Sequence, residues 1–314
     1  MAETLVLGAN GFVGSHLVDS LVEGGHNVRA FDRFGSPARF VEHENIEIRA
    51  GDYMNTGDLE DALKDIEYVF HFISTTTPAA SDKDPTIDIE TNLRMSVELF
   101  KLCADSDVKR VIFASTGGAI YGNGGEGEAR KETDSAEPVS PYAIGKLAIE
   151  NYLRYFRSKH RLQSTSFRIS NPYGERQPTH RRQGVIPIFL DNLYHDRPLT
   201  VNGDGGMVRD YIYVKDLANM IARVFERGDL KDLYNVGSGQ GTTLNDIIEM
   251  AAHVSGKTPV VERAPVPSTF INSVVLDMKR FIADFGEYPL TSLEDGMRAT
   301  YNYIVQQNTQ GEGT

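Results

Sequence analysis

Tyr142 and Lys146 lie four residues apart at the start of a predicted helix, so their side chains share one face. A phenol titrates near pH 10 in water and is a poor base at neutral pH. A neighbouring ammonium, and a cationic nicotinamide beside it, would favour the phenolate. Such a pair suits removal of a hydroxyl proton while hydride leaves the same carbon. Ser115 and Thr116 follow the fifth predicted strand, where either hydroxyl could bridge a substrate oxygen and Tyr142. Ser and Thr are also ordinary turn and cap residues at such places, and Tyr-x-x-x-Lys alone recurs on many helices. The pair gains weight only from its company.

That company is the run Gly8-Ala9-Asn10-Gly11-Phe12-Val13-Gly14, between the first strand and the first helix. Gly8 permits a tight turn, Gly11 lets backbone amides approach a pyrophosphate, and Gly14 allows close helix–strand packing. The glycine spacing differs by one residue from the usual dinucleotide fingerprint, but the strand–turn–helix context is right. Asp32 ends the second strand, about 20 residues on, where an acid accepts from the adenosine ribose hydroxyls. A carboxylate there repels a 2′-phosphate and favours NAD over NADP, with Arg33 beside it as a softening charge. Gly51-Asp52-Tyr53 follows the third strand, where Asp52 would approach the adenine amine and Tyr53 joins the cofactor contacts.

The elements that must position these groups alternate. Strands are expected at Thr4–Leu7, Asn27–Phe31, Ile46–Arg49, Tyr68–Phe72, Arg110–Ala114 and Ser164–Arg168. Helices are expected at Phe12–Val22, Asp58–Leu63, Thr86–Ala104 and Tyr142–His160. The fold class is therefore α/β, a Rossmann-type doubly wound parallel sheet. After Arg168 the pattern breaks at Pro172, Pro178, Pro187 and Pro198, and shorter elements follow at 214–225, 233–236, 244–254 and 293–305. The expected division is a cofactor domain over 1–168 and a smaller substrate-binding lobe over 169–314, with segments near 207–236 returning to the first. The polar tail 308–314 reads as frayed.

Several motifs together resemble the extended short-chain dehydrogenases/reductases, the NAD-dependent epimerase/dehydratase family, and within it the UDP-glucose 4-epimerase group. They are the glycine run, residues 113–122 (FASTGGAIYG), 140–146 (SPYAIGK), 168–174 (RISNPYG), 208–212 (VRDYI) and 234–239 (YNVGSG). The likeness spans nearly the whole chain in order. It implies that Tyr142 is the catalytic base and that Lys146 binds the nicotinamide ribose. Ser115 or Thr116 is implied as the auxiliary hydroxyl, Asn171 as a sugar-nucleotide contact, Arg209 as a substrate phosphate ligand and Asn92 as an ordering residue. The implied reaction is 4-epimerisation of a nucleotide-linked hexose through a 4-keto intermediate, with bound NAD regenerated, in a homodimer built on the helices from Thr86 and Tyr142. The alternatives are a nucleotide-sugar dehydratase or reductase, and least of all a non-catalytic NAD sensor.

Related dehydratases place an acidic residue after the Ser-Thr pair, where this chain has Gly117-Gly118. Glycine cannot transfer a proton, so elimination is disfavoured. One departure concerns the substrate phosphate. Many epimerases carry Arg-Pro-Gly-Asp where this chain reads Val266-Pro267-Ser268-Thr269, which leaves Arg263, Arg176 or Arg182 as replacements. Ser273 and Val274 are small where a bulky residue would exclude an N-acetyl group, so plain and N-acetylated UDP-hexoses are both expected to fit.

Composition limits the alternatives. Hydrophobic residues make up 40% and charged residues 24% of 314 residues, as in a soluble globular protein. Lys plus Arg total 32 against 44 Asp plus Glu, a net charge of −12 that repels nucleic acid. No apolar run approaches the ~18 residues that span a bilayer. The N-terminus reads as a strand and not a signal peptide. The single Cys103 excludes an internal disulfide and fits a cytoplasmic enzyme. No metal is expected, since no His/Cys/Asp cluster has ligand spacing. His71 reads as a packed strand-end residue.

Overall fold

A computed structural model describes residues 1–76, 78–122, 128–179, 184–266 and 271–311. Seven parallel strands form the central sheet in the order β10-β6-β5-β4-β1-β2-β3. They are β1 (Glu3–Leu7), β2 (Asn27–Asp32), β3 (Ile46–Ala50), β4 (Tyr68–His71), β5 (Arg110–Thr116), β6 (Gln163–Ile169) and β10 (Leu233–Val236). β1 lies between β4 and β2, so the strand order reverses there and opens a crevice at the carboxyl edge.

The sheet is buried on both faces, as parallel sheets require. Leu5, Leu7, Val111 and Phe113 point to one side. They meet Leu59 of α2 (Thr56–Ala62), Met95, Leu99 and Phe100 of α4 (Arg94–Ala104), and Ile149, Leu153 and Phe156 of α6 (Pro141–His160). Val6, Phe70 and Ile112 alternate to the other side. There they pack on Leu17, Val18 and Leu21 of α1 (Phe12–Glu23), Leu217 and Ile221 of α8 (Val214–Ala222), and Phe281 and Phe285 of α10 (Lys279–Phe285).

The expected helix 86–104 is instead two pieces. A π-helical turn, Asp88–Leu93, leads into α4, and the short α3 (Pro78–Lys83) precedes it. Buried Asp88 and Asn92 bond to each other within that wider turn, a local geometry common at functional positions. α5 (Gly117–Ile120) follows β5 directly.

Beyond β6 the lobe is more regular than expected. It holds α7 (Val185–Tyr194), α9 (Leu244–Ser255) and α11 (Leu293–Gly311) around a third core of Ile186, Phe189, Leu190, Ile247, Ala251 and Met297. α9 opens with a capping box between Thr243 and Asp246. Short strands complete it. β9 (Val208–Tyr213) pairs with β7 (Asn171–Tyr173), β11 (Gly241–Thr243) and β13 (Ser273–Val274), and β8 (Leu199–Asn202) pairs with β12 (Val261–Ala264). α8 packs on the central sheet and β10 pairs with β6 at its edge, whereas β9 pairs with β7, β11 and β13 and sends Ile212 into the core of the central sheet. The tail is helical through Gly311, because α11 continues over Asn308. Among the described residues, no helix is long and apolar enough to cross a membrane.

Candidate active site

At the sheet's crevice a cleft of about 490 Å³ is walled by the glycine turn, the ends of β4, β5 and β6, the start of α6, and Asn171, Gln177 and Pro178. Its described lining carries two cations, Arg39 and Lys146, and no carboxylate. In a chain of net charge −12 this is a local field suited to an anionic ligand.

The glycines have steric reasons. Gly8 has φ +85°, and a Cβ there would lie 2.9 Å from the backbone of Ile73 beyond β4. A Cβ on Gly14 would lie 2.0 Å from the Gly8 carbonyl oxygen. Gly11 is the N-cap of α1 with no side-chain cap, so the first turn at Phe12 and Val13 presents its positive end to the cleft. Asn10 ties this turn down. Its Oδ1 accepts from the Arg39 amide at 2.9 Å and its Nδ2 donates to the Pro37 carbonyl at 3.2 Å. Asp32 accepts from the Asn10 amide at 3.0 Å and the Arg33 amide at 2.8 Å, which leaves lone pairs on both oxygens.

Two residues assigned to the cofactor behave differently. Asp52 is exposed and caps the Met54 amide at 2.9 Å, outside the lining of the cleft. Tyr53 turns its side chain into the core, with its hydroxyl 3.2 Å from both His71 Nε2 and Ser96 Oγ. An aromatic ring beside the helix core gains more from burial than from a place at the edge. His71 is buried and 2.7 Å from Ser96 Oγ. Burial, with Lys146 nearby, pushes it down to about 3, so the imidazole is neutral.

α6 starts cleanly because Ser140 caps the Ala143 amide and Pro141 occupies the first turn. That start delivers Tyr142 and Lys146 to the cleft wall. Lys146 Nζ donates to the Ala114 carbonyl at 2.8 Å and stands 5.7 Å from the Tyr142 ring centroid. Burial pushes the Lys146 ammonium down to about 8, against the opposing pull of Asp88 and Glu150. Burial, with the Asp88 charge, pushes the Tyr142 phenol up to about 12. The protein alone therefore keeps Tyr142 protonated, because burial and the Asp88 charge both disfavour the phenolate.

Ser115 and Thr116 are both in the wall, yet they differ. Ser115 Oγ donates to Glu150 Oε1 at 2.5 Å, and Glu150 in turn holds Arg168 in a buried ion pair. Thr116 is the N-cap of α5 and makes no capping bond with its side chain. Asn92 Oδ1 accepts from the Thr75 amide at 2.9 Å and its Nδ2 donates to Thr76 Oγ1 at 2.8 Å, which orders the loop after β4. Asp88, Glu150 and Gln177 carry no sequence motif that marks them. Only their burial on the same helix faces as Tyr142, Lys146 and Asn92 reveals the first two.

On the substrate side Asn171 lines the cleft and donates to the Asp210 carbonyl at 2.9 Å. A Cβ on Gly117 would lie 2.6 Å from Leu276 and 3.0 Å from the Arg168 carbonyl oxygen, whereas one on Gly118 would lie 3.3 Å from Asn171 Oδ1, and neither glycine carries a proton-transferring group. Arg209 is outside the lining of the cleft. Its guanidinium donates to the carbonyls of Val208 at 2.8 Å and Ile271 at 2.6 Å. Arg263 is exposed on β12, and Arg176 pairs with Asp19 at 2.7 Å. Arg182 and residues 267–269 lie outside the described residues, and Val266 is exposed. A second cavity of about 550 Å³ is lined by Glu128, Val208, Asn272 and Ser273 among others. Val274 faces away into a core with Ile120, Tyr121 and Leu276, so of the two small residues only Ser273 borders open space.

A parallel sheet with a glycine-turn crevice and a Tyr–Lys pair on its wall defines a nicotinamide-dependent enzyme of the short-chain dehydrogenase/reductase type. The model of the NAD dependent epimerase/dehydratase family matches residues 4–237, and the chain belongs to that family. It is 32% identical over 300 residues to a dTDP-4-dehydro-6-deoxyglucose reductase of Escherichia coli, covering 93% of this chain and 94% of the other. Among solved structures it is similar to the UDP-glucose 4-epimerase of Thermus thermophilus in complex with NAD, at 33% identity and a TM-score of 0.89, over 96% and 99% of the two chains. The UDP-N-acetylglucosamine 4-epimerase of Methanobrevibacter ruminantium, in complex with UDP-N-acetylmuramic acid, aligns at 29% identity and a TM-score of 0.89, over 98% and 99%.

Proposed function

We propose that this protein is an NAD-dependent 4-epimerase of UDP-linked hexoses. The observation that carries the reading is one wall shared by Tyr142, Lys146 and Thr116, opposite a glycine turn, with glycine and no acid at 117 and 118. The cleft fits the dinucleotide: two cations, no described carboxylate, an uncapped helix start and a glycine cradle that a Cβ would fill. NAD, when bound, supplies the hydride acceptor for C4 and a positive charge that favours the Tyr142 phenolate. Asp32, with its remaining lone pairs, favours NAD over NADP, and Asn10 to Gly14 hold the pyrophosphate.

Tyr142 takes the proton of the C4 hydroxyl and returns it after the sugar has turned over. Thr116, whose hydroxyl has no hydrogen-bond partner among the described residues, bridges the C4 oxygen and Tyr142, while Ser115 serves Glu150. Lys146, fixed by the Ala114 carbonyl, holds the nicotinamide ribose. Asn171 contacts the sugar nucleotide. Arg209 reaches its diphosphate by exchanging the carbonyls of Val208 and Ile271. Ser273 supports acceptance of an N-acetyl group. We also propose a cytoplasmic homodimer. The exposed Ile89, Ile144, Tyr152 and Tyr155 on the π-helical turn and α6 support the dimer, and a lone cysteine suits a reducing compartment.

The test is incubation with UDP-, dTDP- and GDP-hexoses, plain and N-acetylated, with products read by NMR. The reading expects interconversion of UDP-glucose and UDP-galactose, abolished in Tyr142→Phe while NAD binding remains. A reductase, favoured by the Escherichia coli relative, would consume NADH stoichiometrically with a 4-keto sugar.

A further inference from the structure

Residues 174–178 run from the lobe across the mouth of the cofactor cleft, and they are fastened there by contacts that the proposed chemistry does not use. Arg176 Nη1 donates to Asp19 Oδ2 of α1 at 2.7 Å, between side chains only 18% and 15% exposed. His16, one turn earlier on α1, meets the Glu175 carbonyl through Nε2 at 3.0 Å. From the other side, Arg39 Nη1 donates to the Arg176 carbonyl at 3.2 Å. The second oxygen of Asp19 accepts from the Val41 amide at 2.9 Å. One carboxylate on α1 thus gathers both the loop after β2 and the crossing segment. At its far side the segment is anchored to β9 and α8, where Glu175 accepts from the Tyr213 hydroxyl and pairs with Lys215 at 2.9 Å.

Two features point to a purpose at the cleft. Arg176 has φ +65°, a left-handed conformation that costs energy for any residue with a side chain and persists only when its neighbours enforce it. The two residues that follow, Gln177 and Pro178, are walls of the same cleft as Asn10 to Val13, and so is Arg39. Gln177 Oε1 is buried without a hydrogen-bond partner among the described residues.

We propose that Asp19, Arg176, Arg39 and His16 form a clasp that shuts the dinucleotide into its cleft and sets its rate of release. The proposal rests on the dinucleotide reading of the cleft and deepens it. An epimerase returns the same hydride to its substrate, so a cofactor lost between the two half-reactions leaves the product oxidised. Opening the clasp requires the Arg176–Asp19 pair and the Arg39 and His16 contacts to give way before Gln177 and Pro178 can lift. These side chains are positioning residues: they act through the crossing segment.

The experiment loads purified protein with isotope-labelled NAD and follows loss of label into excess unlabelled NAD, with no sugar present. Asp19→Asn and Arg176→Gln are each expected to release NAD at least tenfold faster, about 1.4 kcal/mol in the barrier to release. The double variant is expected to release no faster than the faster single variant, because the pair acts as a unit. NAD exchange within twofold of wild type in all folded variants overturns the clasp alone. Failure of the wild type to hold labelled NAD overturns the dinucleotide reading and the clasp with it.

Discussion

Glu150→Ala tests the frame behind the Tyr142–Lys146 wall of the cleft. Glu150 and Arg168 have side chains each 6% exposed, joined at 2.8 Å and 3.1 Å in a two-pronged contact. Glu150 also accepts the Ser115 hydroxyl. The Arg168 guanidinium is 4.8 Å from the Tyr121 ring centroid, and its Nη1 has no hydrogen-bond partner among the described residues. Glu150 holds the Arg168 pKa above its ordinary value, and deprotonation offers no escape for an arginine. Removing the carboxylate therefore strands a buried cation and a buried hydroxyl, a loss of about 3–5 kcal/mol. Glu150→Gln keeps an acceptor and should cost about 1–3 kcal/mol. The assay is equilibrium unfolding in urea. The chain has no tryptophan, so far-ultraviolet circular dichroism and tyrosine fluorescence are followed together. A loss below about 1 kcal/mol for Glu150→Ala would refute the reasoning.

Other outcomes follow from the same geometry. Thr116→Val should lower kcat about 100-fold, whereas Ser115→Ala should change kcat little and lower stability by about 1 kcal/mol; equal kinetic losses would contradict the assignment. Gly14→Ala places a Cβ 2.0 Å from a carbonyl oxygen, so a loss of about 1–3 kcal/mol is expected in thermal unfolding, with weakened NAD binding. Lys146 is depressed to about 8 in the folded chain from an ordinary 10.5. Below pH 8 both states hold the proton. Between the two values the unfolded state binds more protons, so this group makes stability rise with pH by about 3 kcal/mol in all. Activity that needs the ammonium should fall through the same lower limb. Lys146→Met should remove the stability rise, and a rise that persists in it would assign the titration elsewhere.

Much of the fold was legible because interior parallel strands and amphipathic helices carry strong periodic signals, as at Arg110–Thr116 and Pro141–His160. The shared position of Tyr142 and Lys146 on the cleft wall was legible for a related reason: both are fixed by local helix geometry after a Ser-Pro cap. What escaped depends on tertiary partners. Nothing local distinguishes Ser115 from Thr116 until Glu150 is seen to take one hydroxyl. Tyr53 reads as an edge residue, but His71 and Ser96, far along the chain, draw it inward. The split of the 86–104 helix follows from Asp88 and Asn92 bonding inside it. The segment Asn171 to Pro178 reads as a proline-broken loop, and its fastening to Asp19 and His16 has no signature in sequence.

The central claim is tested most directly with UDP-glucose carrying deuterium at C4, followed by NMR in ordinary water. Transfer of hydride out and back within one cleft predicts UDP-galactose with deuterium retained at C4 and no net change in NADH. Loss of the label to solvent, a 6-deoxy-4-keto product, or no epimer from any sugar in the panel would contradict it.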